Sequence, residues 1–197
     1  MKSLAVFCGS KCGNNELYEL HAKQLGKLMA DHSIQLVYGG GNKGLMGAVA
    51  NGVMDNGGMV IGVIPERLAE WDHHHKNLTE LIVVTDMHTR KRKMYELCDV
   101  AVILPGGFGT MDEMFEMLTW NQLAIHDKPL VILNTAGYYT DLFQMMQVMH
   151  INGFLHEELN KRIRIYDNPD VLMEQLLKEY DSLKTPVPSF LENKSTS

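Results

Sequence analysis

The chain alternates short apolar runs with longer stretches in which apolar residues recur every three or four positions. Uninterrupted apolar runs are typical of parallel strands covered on both faces, whereas the longer spacing is that of amphipathic helices. The runs cover residues 4–9, 34–40, 59–65, 81–86, 100–107, 129–134 and 163–167, and the helical stretches cover 14–31, 44–56, 87–98, 110–125, 140–151 and 169–180. This order predicts an α/β fold built on a doubly wound parallel sheet.

The chain is predicted to form a single domain. It has 197 residues, of which 45% are apolar and 21% charged, an ordinary composition for one globular unit with a sizeable core. No internal linker divides residues 1–181. Residues 182–197 combine two prolines with polar side chains, so we expect a flexible C-terminal tail.

Charge and composition exclude several classes of partner. The net charge of −6 gives no general attraction to nucleic acid or to an anionic membrane. No apolar stretch approaches membrane-spanning length, and the N-terminal apolar run is too short for a secretory signal. The three cysteines, Cys8, Cys12 and Cys98, lack metal-ligand spacing and are expected as free thiols in or near the core. Because such sparse, unpaired cysteines suit a reducing compartment, we expect a cytoplasmic protein.

Glycine-rich turns follow three of the predicted strands, at residues 7–15, 38–47 and 104–110. In an open parallel sheet, ligands bind at the carboxyl ends of the strands, where helix N-termini present free N–H groups that suit phosphate. The second turn matches G-x-G-x-x-G, but it follows the second strand, and this pattern alone is weak support for a dinucleotide enzyme. The second and third turns lack the Lys-Ser/Thr ending of a nucleotide triphosphatase loop. The turns therefore indicate a locally held phosphate.

The third turn, within LPGGFGTMDEM at 104–114, is followed directly by two carboxylates. Its glycines let the backbone approach an anion, and Thr110 can cap the following helix. Two interpretations of Glu113 stay open. It can complete a capping box by bonding back to the N–H of Thr110, or it can face a ligand that the turn holds.

A basic run, Arg90 to Lys93, lies near the start of the helix predicted at 87–98. Cations there oppose the helix dipole at a cost of about 0.3–1 kcal/mol each when exposed, so a compensating group is expected. Either the run is a solvated face, or Arg90 turns toward the crevice at the strand ends and meets a substrate anion or Glu113.

Three segments together resemble one known family: MHTRK at 87–91, PGGFGTMDE at 105–113 and WNQLAIHDKP at 120–129. They are similar to the LONELY GUY (LOG) family of cytokinin riboside 5′-monophosphate phosphoribohydrolases, formerly often labelled "possible lysine decarboxylase". The similarity extends from FCGS at 7–10 to NGF at 152–154, which is most of the chain. It implies a Rossmann-like homodimer that hydrolyses the N-glycosidic bond of adenine-type nucleoside 5′-monophosphates to free base and ribose 5-phosphate.

The resemblance also implies a set of site residues. Arg90 and Glu113 match the family's catalytic arginine and glutamate. The residues that match its phosphate loop are Gly106, Gly107, Gly109 and Thr110, and those that match its other nucleotide contacts are Ser10, Gly40, Gly41, Met87 and Lys91. No cofactor is expected. No metal is expected either, because the consecutive histidines at 73–75 cannot easily converge on one ion and suit a loop.

Two segments depart from the family, and one helix bears on assembly. Lys11 and Cys12 stand where small polar residues are expected, and the segment 67–84 could reshape the base site. The helix at 110–125 carries apolar residues on two sides, which favours a homodimer contact. Its predicted inward side consists of Met111, Met114, Phe115 and Leu118, and its second side includes Met117 and Trp120.

Other functions remain possible from the sequence alone. A nucleotide or molybdenum-cofactor carrier of the same fold would use the glycine turns without any chemistry, and a nucleotide sensor would have lost hydrolysis. A literal lysine decarboxylase needs a lysine that forms a Schiff base with pyridoxal phosphate, and no constellation for it is evident. The sequence does not choose between adenine and a prenylated adenine as the base.

Overall fold

In the part of the chain that the structure describes, seven parallel strands form one sheet. The structure is a computed structural model, and it describes residues 1–70, 74–155 and 163–184. The strands are β1 (Ser3–Phe7), β2 (Gln35–Tyr38), β3 (Val60–Pro65), β4 (Glu80–Val84), β5 (Val100–Ile103), β6 (Leu130–Leu133) and β7 (Ile163–Tyr166). Their order in the sheet is β4-β3-β2-β1-β5-β6-β7. The predicted doubly wound α/β fold is confirmed.

Helices connect the strands, and all six long helices that the sequence predicts are present. They are α1 (Glu16–Asp31), α2 (Gly44–Met54), α4 (Met87–Leu97), α5 (Phe108–Gln122), α6 (Thr140–Ile151) and α7 (Pro169–Lys184). A four-residue helix, α3 (Glu66–Ala69), and a 3-10 turn at Thr135–Gly137 were not predicted. In the described parts of the chain, no helix is long and apolar enough to cross a membrane.

The predicted boundary of the C-terminal tail is corrected by α7, which continues to Lys184. Residues 182–184 are therefore helical rather than part of a tail. The helix can continue this far because the first proline after it is Pro186, and a proline restricts the residue immediately before it, here Thr185. The rest of the predicted tail, residues 185–197, lies outside the described residues.

Two hydrophobic layers cover the two faces of the sheet. Side chains from α1, α2 and α7 pack on one face, with Leu25, Val49 and Leu172 as fully buried examples. Side chains from α4, α5 and α6 pack on the other, including Met94 and Met114. Because both faces are covered, the central strands are buried at almost every position, which explains their uninterrupted apolar sequences.

The direction of winding reverses between β1 and β5, which are hydrogen-bonded neighbours. A crevice forms outside the carboxyl ends of the strands at such a switch point, and it is the usual ligand site of this architecture. The three glycine turns meet there: the Gly9 N–H donates to the Pro105 carbonyl (3.0 Å), and the Leu45 N–H donates to the Gly9 carbonyl (3.0 Å).

Candidate functional site

A cavity of about 290 Å³ lies at the switch point between β1 and β5. The predicted site residues that line it are Ser10, Arg90, Gly107, Gly109, Thr110 and Glu113. They come from three separate places along the chain: the turn after β1, helix α4, and the turn that opens α5. The fold therefore brings about half of the predicted site residues together around one space.

The N-terminus of helix α5 borders this cavity and presents backbone N–H groups that have no acceptor within the helix. It begins at Phe108, two residues earlier than predicted, and its N-cap is Gly107, with no hydrogen bond from a capping side chain. The capping-box interpretation is therefore wrong, because Thr110 lies inside the first turn and not at the cap. The first N–H groups of a helix have no intrahelical acceptor, so this end of α5 suits an anion.

The third glycine turn is held tightly from outside the helix. The hydroxyl of Tyr138 donates to the Gly106 carbonyl (2.6 Å), and the hydroxyl of Tyr139 donates to the Leu104 carbonyl (2.7 Å). A Cβ atom at position 106 would overlap the Thr110 hydroxyl, so glycine alone fits there. Gly106 lines a second cavity, of about 360 Å³, which shares Gly9, Ser10 and Gly107 with the first.

Arg90 is buried and fixed by backbone carbonyls. Its Nε donates to the Val63 carbonyl within β3 (3.0 Å), and its Nη2 donates to the Gly39 carbonyl just after β2 (3.2 Å). Only 9% of the residue is exposed. Burial lowers the pKa of the guanidinium and the Glu113 carboxylate opposes this shift. An arginine remains charged in proteins, so the cavity contains a fixed cation.

Glu113 faces Arg90 across the cavity. Its Oε1 lies 4.0 Å from Arg90 Nη1, and the residue is 9% exposed. Burial raises the pKa of the Glu113 carboxyl to about 7, although Arg90 acts to lower it. A carboxyl that titrates near neutral pH inside a ligand-sized cavity is typical of an active site.

The sequence left two interpretations of the basic run on α4 open, and each of them holds for part of the run. Arg90 and Lys91 are buried, whereas Arg92 is exposed to solvent. The compensating group at the helix start is Asp86, the N-cap, whose Oδ1 accepts a hydrogen bond from the Thr89 N–H (2.8 Å). This carboxylate offsets the unfavourable interaction of the cations with the helix dipole.

Four predicted nucleotide contacts line neither cavity: Gly40, Gly41, Met87 and Lys91. The Gly40 carbonyl accepts from the His75 N–H (2.9 Å), and Gly41 forms an isolated antiparallel bridge with His74. Met87 is exposed, with its sulfur 3.7 Å from Arg90 Nη1. Lys91 is paired with carboxylates of α5.

The histidine run contributes to this second glycine turn as loop residues. His74 and His75 contact the turn as described, and His75 Nε2 also lies 2.9 Å from Asn51 Oδ1. His73 lies outside the described residues. Among the residues that the structure covers, no group of three histidine, cysteine, aspartate or glutamate side chains could hold a metal ion.

Sequence reasoning missed several residues that shape the cavity. Cys8, Met46, Met94 and Phe108 line it, and Gly39 provides the space for the Arg90 guanidinium. The first glycine of the G-x-G-x-x-G match was the available signal for Gly39, but its role is to accommodate a side chain of the same protein. Cys8 is buried. Burial and, to a smaller extent, the nearby Glu113 raise the pKa of its thiol, which therefore stays protonated.

The buried side of α5 also differs from the predicted one. Thr110, Glu113, Met114 and Met117 are buried, while Met111, Phe115 and Leu118 are only half-buried. The helix is rotated relative to the purely apolar pattern, so that two polar side chains, Thr110 and Glu113, point inward to the cavity. A hydrophobic pattern cannot register polar residues that are buried for function.

Comparison with known proteins identifies the family. The profile of a family described as "Possible lysine decarboxylase" matches residues 46–176. A cytokinin riboside 5′-monophosphate phosphoribohydrolase of Rhodococcoides fascians is 45% identical over 165 residues, which cover 82% of this chain and 82% of the relative. This chain belongs to the LOG family. A LOG relative from Arabidopsis thaliana with the same enzyme name is 40% identical over 179 residues, 91% of this chain and 84% of the relative.

Solved structures share the architecture of this LOG chain. The molybdenum cofactor carrier protein of Chlamydomonas reinhardtii superposes with a TM-score of 0.69 at 21% identity, covering 91% of this chain and 98% of the carrier. Likeness at this level of identity shows a common fold and nothing about the ligand.

Proposed function

We propose that this LOG chain hydrolyses the N-glycosidic bond of adenine-type nucleoside 5′-monophosphates, such as AMP or a cytokinin riboside 5′-monophosphate. The observation that carries the proposal is the Arg90–Glu113 pair at the anion-binding end of α5, within one cavity. The names of the relatives at 40–45% identity support the same reaction. A carrier that performs no chemistry has no need of a buried acid and cation facing each other.

The start of α5 would hold the 5′-phosphate. The N–H groups of Gly107 to Thr110 and the positive end of the helix dipole favour an anion there. Ser10 lines the same cavity from the turn after β1 and can donate its hydroxyl. Fixing the phosphate also fixes the sugar, so binding energy from a group remote from the reaction lowers the barrier.

Glu113 would act on the sugar and not on the phosphate. It lies about 8 Å further along the α5 axis than Phe108, at 1.5 Å per residue, which separates its carboxylate from the bound anion. As the glycosidic bond breaks, positive charge develops near the anomeric carbon, and an ionised Glu113 stabilises it or positions water. Water adds to the anomeric carbon and the base leaves with its bonding electrons and takes up a proton, giving ribose 5-phosphate.

Arg90 would balance the charge of this arrangement. With Nε and Nη2 held by carbonyls, Nη1 is the part of the guanidinium that faces Glu113. It keeps Glu113 ionised in a larger fraction of molecules than burial alone would allow. The same edge can interact with the phosphate or with the departing base.

The direct test is to incubate the protein with AMP, isopentenyladenosine monophosphate and adenosine, and to quantify free base and ribose 5-phosphate. We expect both monophosphates to be cleaved and adenosine to be a poor substrate, because it lacks the group that α5 holds. Adenosine cleavage with a kcat/KM comparable to that of AMP would contradict the proposed phosphate site. Tight binding of the monophosphates without any product would favour a carrier or a sensor.

We propose further that the chain forms a homodimer through α5. Phe108 is 95% exposed, and Met111, Phe115 and Leu118 follow it on the same side of the helix as half-buried apolar residues. Such a stripe suits a second copy of the chain. Light scattering should give about twice the 22.3 kDa mass of one chain, and Leu118→Glu should give the monomer mass. A monomeric wild-type protein at micromolar concentration would refute this assembly.

The cytoplasm remains the predicted location. Cys8, Cys12 and Cys98 are free cysteines, as a reducing compartment allows. Cell fractionation followed by detection of the protein would test this prediction.

A further inference from the structure

Lys91 lies next to the catalytic pair but uses its charge within the protein. Its Nζ donates a hydrogen bond to Asp112 Oδ2 (3.0 Å) and forms an ion pair with Glu116 Oε2 (2.9 Å). Only 7% of the Lys91 side chain is exposed, whereas 63% of the Asp112 side chain is. The ammonium group is therefore enclosed by two carboxylates of α5, and it lines neither of the cavities at the glycine turns.

A second contact joins the same two helices at the backbone of Glu113. The hydroxyl of Tyr95, on α4, donates to the backbone carbonyl of Glu113 on α5 (3.0 Å). The Tyr95 ring packs edge-on against Trp120, with the ring centroids 4.9 Å apart. Helices α4 and α5 are thus joined at the catalytic acid, Glu113, and at two carboxylates near it, Asp112 and Glu116.

From this arrangement we infer that Lys91 is a positioning residue, which holds α4 and α5 in register and so sets the separation of Arg90 from Glu113, and that it does not contact the substrate. Arg90 precedes Lys91 on α4, and Glu113 lies between the two carboxylates on α5. A shift between the helices would change the 4.0 Å separation directly. The kinetic consequences rest on the proposed function, whereas the coupling between the helices does not.

Lys91 also affects the charge state of Glu113. The charged or titratable groups that interact with Glu113 are Arg90, Lys91 and Tyr95 from α4, Asp112 and Glu116 from α5, and Cys8 from the turn after β1. Lys91 lowers the pKa of the Glu113 carboxyl, while Asp112 and Glu116 raise it. Removing Lys91 should therefore raise the pKa of Glu113, because a cation that lowers it is lost while Asp112 and Glu116 remain.

The test compares Lys91→Met with Lys91→Arg and with Lys93→Met, a matched control on the same helix. Lys93 is a half-exposed surface lysine 3.9 Å from Glu96, so its replacement should leave activity unchanged. For Lys91→Met we expect kcat to fall about 10- to 100-fold with KM within about twofold of wild type, because misplacement of the catalytic groups affects the transition state most. Lys91→Arg should restore most of kcat, and inhibition by ribose 5-phosphate should be as strong in Lys91→Met as in wild type.

The pH profile gives an independent result. The rise of kcat with pH should move to higher pH in Lys91→Met, because the pKa of Glu113 increases, and it should not move in Lys93→Met. An increase of 10-fold or more in the inhibition constant of ribose 5-phosphate, with kcat unchanged, would overturn the inference, because it would show that Lys91 binds the substrate phosphate.

A stability measurement separates this inference from the proposed function. The thermal midpoint of the double variant Lys91→Met, Glu116→Gln should fall by less than the sum of the two single variants, because the residues interact. Additive losses would overturn the link between the helices. If wild-type protein cleaves no monophosphate, the proposed function fails, yet this double-variant measurement still decides whether Lys91 links α4 to α5.

Discussion

Alanine at position 39 is expected to lower kcat/KM for nucleoside 5′-monophosphates by at least about 100-fold, the scale of loss that follows a displaced catalytic group. A Cβ atom there would overlap Nη2 of Arg90. Gly39 has no positive φ, so alanine suits its backbone conformation and the overlap alone is responsible. Arg90 must then move and lose at least its bond to the Gly39 carbonyl. Steady-state kinetics with AMP measure the effect.

A double-variant cycle provides the control for this prediction. In an Arg90→Ala background the guanidinium is absent, so adding Gly39→Ala should change activity by less than about twofold. The free energy of unfolding should show the same pattern. Gly39→Ala should lower it by about 1–3 kcal/mol when Arg90 is present, as overpacking does, and by much less in the Arg90→Ala background. Wild-type kinetics in Gly39→Ala would mean that the fixed guanidinium is not required.

The main features of the fold and the position of the site could be predicted from sequence because they depend on local patterns. Apolar runs and glycine turns identify strands and their carboxyl ends, and parallel topology brings those ends to one edge. These patterns predict that the turn at 104–110 holds a phosphate, and the family motif predicts Arg90 and Glu113 as the catalytic pair. The start of α5 was misjudged by two residues, because Thr110 is a better cap by residue type than Gly107.

The remaining features depend on which residues meet across long distances in the chain. Lys91 and Asp112 are separated by 21 positions, and no spacing rule relates residues on two different helices. The segment LPGGFGTMDEM at 104–114 shows the consequence. One of its carboxylates, Asp112, faces the surface and pairs with Lys91, while the other, Glu113, faces the cavity. Only the rotation of α5 distinguishes the two, and that rotation is set by packing against the sheet and α4.

Glutamine in place of Glu113 is expected to lower kcat by about 100- to 1,000-fold, the typical cost of losing one group that stabilises transition-state charge. Binding of AMP should be kept, because the start of α5 holds the phosphate and Glu113 acts on the sugar in the transition state. Wild-type activity should rise with pH through about 7, because burial raises the pKa of Glu113 to that value and only the ionised form stabilises a developing cation. The residual activity of Glu113→Gln should lack this rise.

Two comparisons make this prediction specific to Glu113. The substrate phosphate itself titrates near pH 6, so any rise that persists in Glu113→Gln belongs to the substrate and not to the enzyme. Glu96→Gln, at an exposed carboxylate on α4, should retain wild-type activity and the full pH dependence. Calorimetry of AMP binding to Glu113→Gln completes the test. A variant that loses affinity for AMP in proportion to its loss of kcat/KM would show that Glu113 binds the ground state, and the assignment of this residue to the anomeric carbon would then be wrong.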